Sequence, residues 1–198
     1  MTDQSYATSF TVDRTPHEAF TAINDVRGWW EENLAGRTHE VNDEFIHWVA
    51  GVHFARIRVE ELLPGKRVVW RVLDNWMSFI DVQNEWTGTE IRFDIAGTGA
   101  GTEVRFTHVG LTPADQCYEL CRDAWGMYVT KSLPAFIETG VGRPVLNEDG
   151  SDFRSWRASA VAGPRRPQPA CRRGRRERRG RAGCPARPPP APASRRSR

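Results

Sequence analysis

One long helix is the element the sequence announces most clearly, and any fold for this chain has to bury one side of it. From Thr112 to Gly140, TPADQCYELCRDAWGMYVTKSLPAFIETG, residues Cys117, Cys121, Ala124, Trp125, Tyr128, Ser132 and Phe136 recur at helical spacing. Glu119, Asp123, Met127 and Thr130 fall mostly opposite. Thr112 suits an N-cap, Pro113 the first helical position and Asp115 the first turn, where a carboxylate favours the helix dipole. Gly140 supplies the stop. Gly126 costs about 1 kcal/mol against alanine inside a helix, which predicts a close backbone neighbour. Pro134 has no N–H for the Thr130 carbonyl, which predicts a bend near Leu133. The buried stripe mixes thiols, an indole, a phenol and a hydroxyl, so it suits a pocket wall as well as a core.

What precedes the helix is strand and turn. Tyr6 to Val12 is rich in strand formers, and TPHE, Thr15 to Glu18, is a capping box with proline at the first helical position. Ala19, Phe20 and Ile23 give that short helix one apolar face. Asn24 to Gly28 breaks it, and Trp29-Trp30-Glu31-Glu32 predicts a second, shorter turn. Glu44 to Ala50 is the next strand. In His53 to Leu63, His53, Ala55, Ile57 and Val59 alternate with Phe54, Arg56, Arg58 and Glu60. Pro64-Gly65 marks a turn, and Arg67 to Asp74 then sets Val68, Trp70 and Val72 on one face. Thr89 to Ala96 does the same with Ile91, Phe93 and Ile95, and Thr102 to Val109 with Val104, Phe106 and His108.

The glycines between those last two strands, Gly97 to Gly101, would cradle a phosphate only if a helix followed. A strand follows, so they form a hairpin turn. Short turns between consecutive strands make an antiparallel sheet. Six or seven such strands need their apolar faces covered, and the C-terminal helix is the only long element available. The sheet is expected to curl around it, with the short N-terminal helices closing one end.

The chain has 198 residues and a formal charge of +3, an average over two different polymers. Up to Arg157 there are 15 Lys and Arg against 24 Asp and Glu, with every Trp, Phe and His of the chain. Ala158 to Arg198 holds 13 Arg, no Lys, one acid (Glu177), no aromatic residue and one β-branched residue, Val161. That segment has too little apolar surface to offset the entropy of ordering. It would attract nucleic acid non-specifically through its arginines, without aromatic side chains for stacking. A solvated extension fits the composition too, as does out-of-frame translation of GC-rich DNA from about Asp149 or Ser151. No run of 18 apolar residues occurs, and MTDQSYATSF has neither the basic head nor the apolar block of a secretory signal. Cys117 and Cys121 stand i,i+4 on one helix, which suits neither a disulfide staple nor a four-ligand zinc site. No metal or other cofactor is therefore expected, and a reducing, cytoplasmic setting is.

The motifs PGKRVVWRV (Pro64 to Val72), TEIRFDI (Thr89 to Ile95), GTEVRFTHVGL (Gly101 to Leu111) and CYELCRDAWGMYVTKSL (Cys117 to Leu133) resemble those of the SRPBCC/START-like proteins. The closer resemblance is to the branch named after the activator of Hsp90 ATPase, the AHSA1-like or polyketide-cyclase-like domain. It spans about Tyr6 to Pro144, in the right order. It implies an α+β helix-grip fold (Bet v 1/START-like) over residues 1–146, with two short helices after the first strand; composition adds the expectation of a disordered Arg/Pro-rich tail over 147–198. It also implies a hydrophobic cavity under the helix. Members of such families bind apolar molecules, catalyse cyclisation or dehydration, or bind Hsp90, and the fold does not choose among these.

The favoured expectation is a small apolar or aromatic ligand; a chaperone-like or self-associating protein partner and a cyclase- or dehydratase-like enzyme are the alternatives. If the apolar strand faces look inward, Ile57, Val59, Trp70, Ile91, Phe93, Phe106 and His108 line the cavity. The helix adds Cys117, Cys121, Trp125 and Tyr128. His108 is the foremost acid–base candidate, because an imidazole titrates near neutrality, and His53 the weaker second. No nucleophile elbow, HExxH or paired carboxylate motif is present.

Overall fold

Seven strands form one antiparallel sheet in the order β1-β7-β6-β5-β4-β3-β2, in a computed structural model that describes residues 4–145. The elements are β1 (Tyr6–Val12), α1 (Pro16–Asn24), α2 (Val26–Trp29), β2 (Leu34–Gly36), β3 (Glu44–Val49), β4 (His53–Leu63), β5 (Arg67–Met77), β6 (Glu90–Thr98) and β7 (Gly101–Val109). The C-terminal helix follows in three pieces, α3 (Tyr118–Met127), a π turn (Tyr128–Ser132) and α4 (Leu133–Thr139). This is the α+β helix-grip architecture the sequence implies, a curled sheet holding one long helix. The Arg/Pro-rich segment 147–198 lies outside the described residues, and so do the expectations attached to it.

Alternation in sequence becomes alternation in burial. Ile57 and Val59 of β4, Trp70 of β5, Ile91 and Phe93 of β6, and Phe106 and His108 of β7 are completely buried. Their neighbours point outward, where Arg71 reaches Glu60 at 3.2 Å and Glu90 at 3.0 Å across three strands. Two register shifts in β4, at Arg56/Ile57 and Val59/Glu61, bend the strand and curl the sheet towards the helix. The glycine run closes a hairpin, Thr98 facing Gly101, as its position before a strand requires. The capping box also forms: the Thr15 hydroxyl accepts from the Glu18 amide, and the Glu18 carboxylate accepts from the Thr15 amide at 2.8 Å.

The long helix differs from expectation at its start. It begins at Tyr118, not after Thr112. The Asp115 carboxylate takes the Thr112 amide at 2.6 Å and folds Thr112 to Cys117 into turns. The helix is capped from outside instead, by Glu85, whose carboxylate accepts from the amides of Gln116 and Cys117, both at 2.8 Å. Gln116 returns the contact, its side-chain oxygen accepting from the amide of Asp81 at 2.9 Å. The segment between β5 and β6 is thus strapped to the helix start.

A π turn spans Tyr128–Ser132, two residues before Pro134, and Gly140 ends the helix in the left-handed region at φ 75°. Buried apolar positions from Cys117 onward are Cys117, Cys121, Trp125, Val129, Leu133 and Ile137, a repeat of four, with the buried Ser132 beside them. At 3.6 residues per turn such a repeat drifts around the helix, and the extra residue of the π turn takes back roughly 100° of that drift. The stripe therefore runs through Val129 and Leu133, and Tyr128 and Phe136 sit half-buried at its margin.

The second short helix also moves. It is Val26–Trp29, not the turn expected over Trp29 to Glu32. Glu32 donates instead to the Val145 carbonyl and Val145 to the Trp30 carbonyl, each at 3.0 Å, so Trp30 caps the short helix and Glu31 forms a parallel bridge with Val145. The edge strand β2 is three residues long, too short for an alternation pattern to register.

Two glycines give opposite tests. A Cβ on Gly126 would meet only the Tyr6 hydroxyl, at 3.9 Å, so the expected close backbone neighbour is absent. Gly126→Ala should raise stability by about 0.5–1 kcal/mol, read from urea midpoints. At Gly28 a Cβ would fall inside the Phe136 ring. Gly28→Ala should cost about 1–3 kcal/mol in the same assay, because helix α4 has to withdraw.

Candidate ligand-binding pocket

Beyond Arg71, strand β5 leaves its partner β6 and pairs with the incoming segment 83–89. Val72 donates to the Thr89 carbonyl at 3.1 Å and Met77 to the Gln83 carbonyl at 2.9 Å. This segment carries Trp86 inward, opposite α3 and the β3–β4 hairpin. A pocket of about 140 Å³ remains between them. Its walls are chiefly Trp30, Trp86, Trp125, Met77 and Cys121, with His47, His53, Glu31 and Tyr128 as the polar members. Val52, Phe79 and Leu120, 40–56% exposed, form its apolar mouth.

Indoles make the pocket small. Trp30 lies parallel to Trp70 with centroids 6.2 Å apart, and its ring is 4.8 Å from Trp125 and 4.3 Å from His47. Trp86 stacks on Trp125 at 5.7 Å. Of the residues expected to line a cavity, Cys121, Trp125 and Tyr128 do so. Ile57, Val59, Trp70, Ile91, Phe93, Phe106 and Cys117 instead pack the core behind it. The Trp30 ring lies in front of Trp70, and Trp125 in front of Phe106. The Cys117 thiol contacts Cys121, and that contact together with burial raises the Cys117 pKa and keeps this thiol protonated.

His108 is also behind the wall, with both ring nitrogens in use. Nδ1 accepts the indole N–H of Trp125 at 3.0 Å. Because an indole only donates, the ring proton sits on Nε2 and goes to the Thr89 hydroxyl at 2.9 Å, whose own proton goes to the Trp86 carbonyl at 2.6 Å. Burial holds this imidazole down to about 3, so it is neutral. The geometry makes it a positioning residue, fixing Trp125 and the Trp86 segment, rather than a proton carrier.

The polar groups in the pocket lining are His47, His53, Glu31 and Tyr128. Among the described residues neither ring nitrogen of His47 has a hydrogen-bond partner, although the residue is only 2% exposed. His53 Nε2 and the Trp86 indole N–H are likewise buried and unpartnered. Burial lowers His47 well below the ordinary imidazole value and His53 to about 3. Burial raises Glu31 to about 8, against the opposing hydrogen bond from the Asn33 amide at 3.0 Å. Tyr128 rises to about 12, through burial first and Glu31 second. At neutral pH the pocket holds hydrogen-bonding groups and almost no charge.

Sequence reasoning did not reach Trp30, Glu31, His47 or Trp86. His47 shares a strand face with Phe45, so its inward direction was readable; the other three depend on the irregular segments that carry them.

Solved structures share this fold, whereas no family model matches the chain and no curated protein does. The solution structure of the Aha1 dimer from Colwellia psychrerythraea aligns with a TM-score of 0.57 at 23% identity, over 70% of this chain and 98% of that one. Protein SSP2350 from Staphylococcus saprophyticus aligns at 0.52 and 17% identity, over 72% and 98%. DynU16, from the dynemicin biosynthetic locus, aligns at 0.53 and 16%, over 71% of this chain and 49% of its own length. These likenesses show the fold, a helix grip shared with the Aha1 and DynU16 structures.

The buried groups set a pH profile. The three histidines have folded values below their unfolded 6.5, so the stability they contribute is lost as pH falls from 6.5 towards 3. Glu31 has a folded value above its unfolded 4.5, so its contribution is present below 4.5 and lost as pH rises to about 8. Three groups outweigh one below 6.5, and above it only Glu31 acts. Stability should peak near pH 6.5 and fall by about 2 kcal/mol towards pH 8. In Glu31→Gln, urea midpoints should stay flat over that upper interval.

Proposed function

We propose that this helix-grip chain binds a small apolar or aromatic molecule in the pocket between helix α3, the β3–β4 hairpin and the Trp86 segment. The observation that carries the reading is a space of about 140 Å³ walled by three indoles and open through an apolar mouth. That volume is close to the ~150 Å³ of an apolar cavity able to hold one benzene ring, and below the roughly 300–1,000 Å³ usual for drug-sized ligands. One ring fits; a sterol or a polyketide chain does not, unless Trp30 moves. Among the described residues no helix is long and apolar enough to cross a membrane, and the thiols of Cys117 and Cys121 are free, in keeping with a cytoplasmic carrier or sensor.

Ala124 lines the pocket from α3 at a half-buried position, so a larger side chain there fills the space without entering the core. Toluene should raise the melting temperature of the unaltered protein and leave Ala124→Phe unmoved. Equal shifts in both proteins, or a shift in neither, would show that the pocket takes no ligand of this kind.

A further inference from the structure

Among the described residues, four of the eight buried side-chain polar atoms without a hydrogen-bond partner belong to residues that line this one pocket: Nδ1 and Nε2 of His47, Nε2 of His53 and Nε1 of Trp86. The two imidazoles are edge to face with centroids 5.0 Å apart, and His53 is 4.8 Å from Trp86. Buried polar groups are nearly always paired, because an unpaired one has lost its water and gained nothing. The contrast with His108 is informative. That histidine, also fully buried, has both nitrogens satisfied by protein, and the histidines facing the pocket do not.

We infer that the pocket is built for an uncharged single-ring molecule with a hydroxyl on its edge, a phenol or similar hydroxylated aromatic, seated with that edge against His47, His53 and Trp86. The inference rests on the pocket reading above and adds the chemistry of the ligand. A neutral imidazole offers one N–H and one lone pair, and Trp86 adds a further N–H. A hydroxyl, which both donates and accepts, answers that set. A carboxylate only accepts, and an ammonium only donates. Each would also bring a charge into a site whose carboxyl and imidazole groups are held neutral by burial. The indole faces of Trp30, Trp86 and Trp125 supply the walls for the ring.

Isothermal titration of the whole chain with phenol, toluene, benzoate and benzylamine separates the possibilities. Toluene is the more hydrophobic probe and wins in a pocket that is only greasy. Phenol should instead bind about tenfold tighter than toluene, the worth of one or two well-made hydrogen bonds, with benzoate and benzylamine weakest. His47→Phe should erase the preference for phenol while toluene still binds, and His47→Gln, which keeps a donor and an acceptor, should restore part of it. If His47→Phe does not fold, Trp86→Phe takes its place, losing one N–H and a few-fold of the preference. Toluene binding as tightly as phenol, an unchanged ratio in the folded variant, or benzylamine as the strongest probe overturns the inference and leaves the pocket standing. Failure of every probe overturns both.

Discussion

One helix has to cover the concave face of seven strands, and three indole rings carry much of the contact. Trp125 reaches from the helix to Phe106 and His108 on β7, Trp30 enters from the far side against Trp70, and Trp86 closes the end where β5 and β6 separate. Each ring buries a large apolar area and also sets its neighbours' angles through edge and stacking contacts. The hydrogen bond between Trp125 and His108 fixes the rotation of the helix against the sheet, and everything at the pocket is placed relative to that bond.

Polarity inside this shell is distributed unevenly. Near β7 the buried polar atoms are closed into a chain running from Trp125 through His108 and Thr89 to the backbone of Trp86. Near the β3–β4 hairpin they are left open. A region with complete pairing resists change, and one with unpaired donors and acceptors is receptive to a molecule that completes them. The fold thus keeps a rigid end and a receptive end within one core, divided by the plane of Trp86 and Trp125.

The framework was legible in the sequence because strand alternation and helical repeat are local signals. Val68–Trp70–Val72 and Val104–Phe106–His108 declare an inner face without knowledge of what covers it. The site was less legible because its position is decided by irregular chain. Trp30 reaches the pocket only because the chain after α2 pairs with Val145 in place of making another helical turn, and Trp86 only because Glu85 and Gln116 tie its segment to the helix start. Neither pairing has a repeat that a reader of one sequence can find. The strand residues expected on the cavity wall are buried on the inner face of the sheet; the Trp30 ring, from a segment read as a helical turn, stands against Trp70.

The π turn at Tyr128–Ser132 carries a further implication about length. A five-residue turn in an otherwise α-helical rod amounts to one surplus residue, lodged where Pro134 already denies the Thr130 carbonyl its usual donor. The two halves of the rod are accordingly out of phase by one position. A homologous chain one residue shorter through this turn could wind as an unbroken α-helix and still present the counterparts of Trp125 and Ile137 to the sheet. Sequence alignments across this point should therefore allow a single gap.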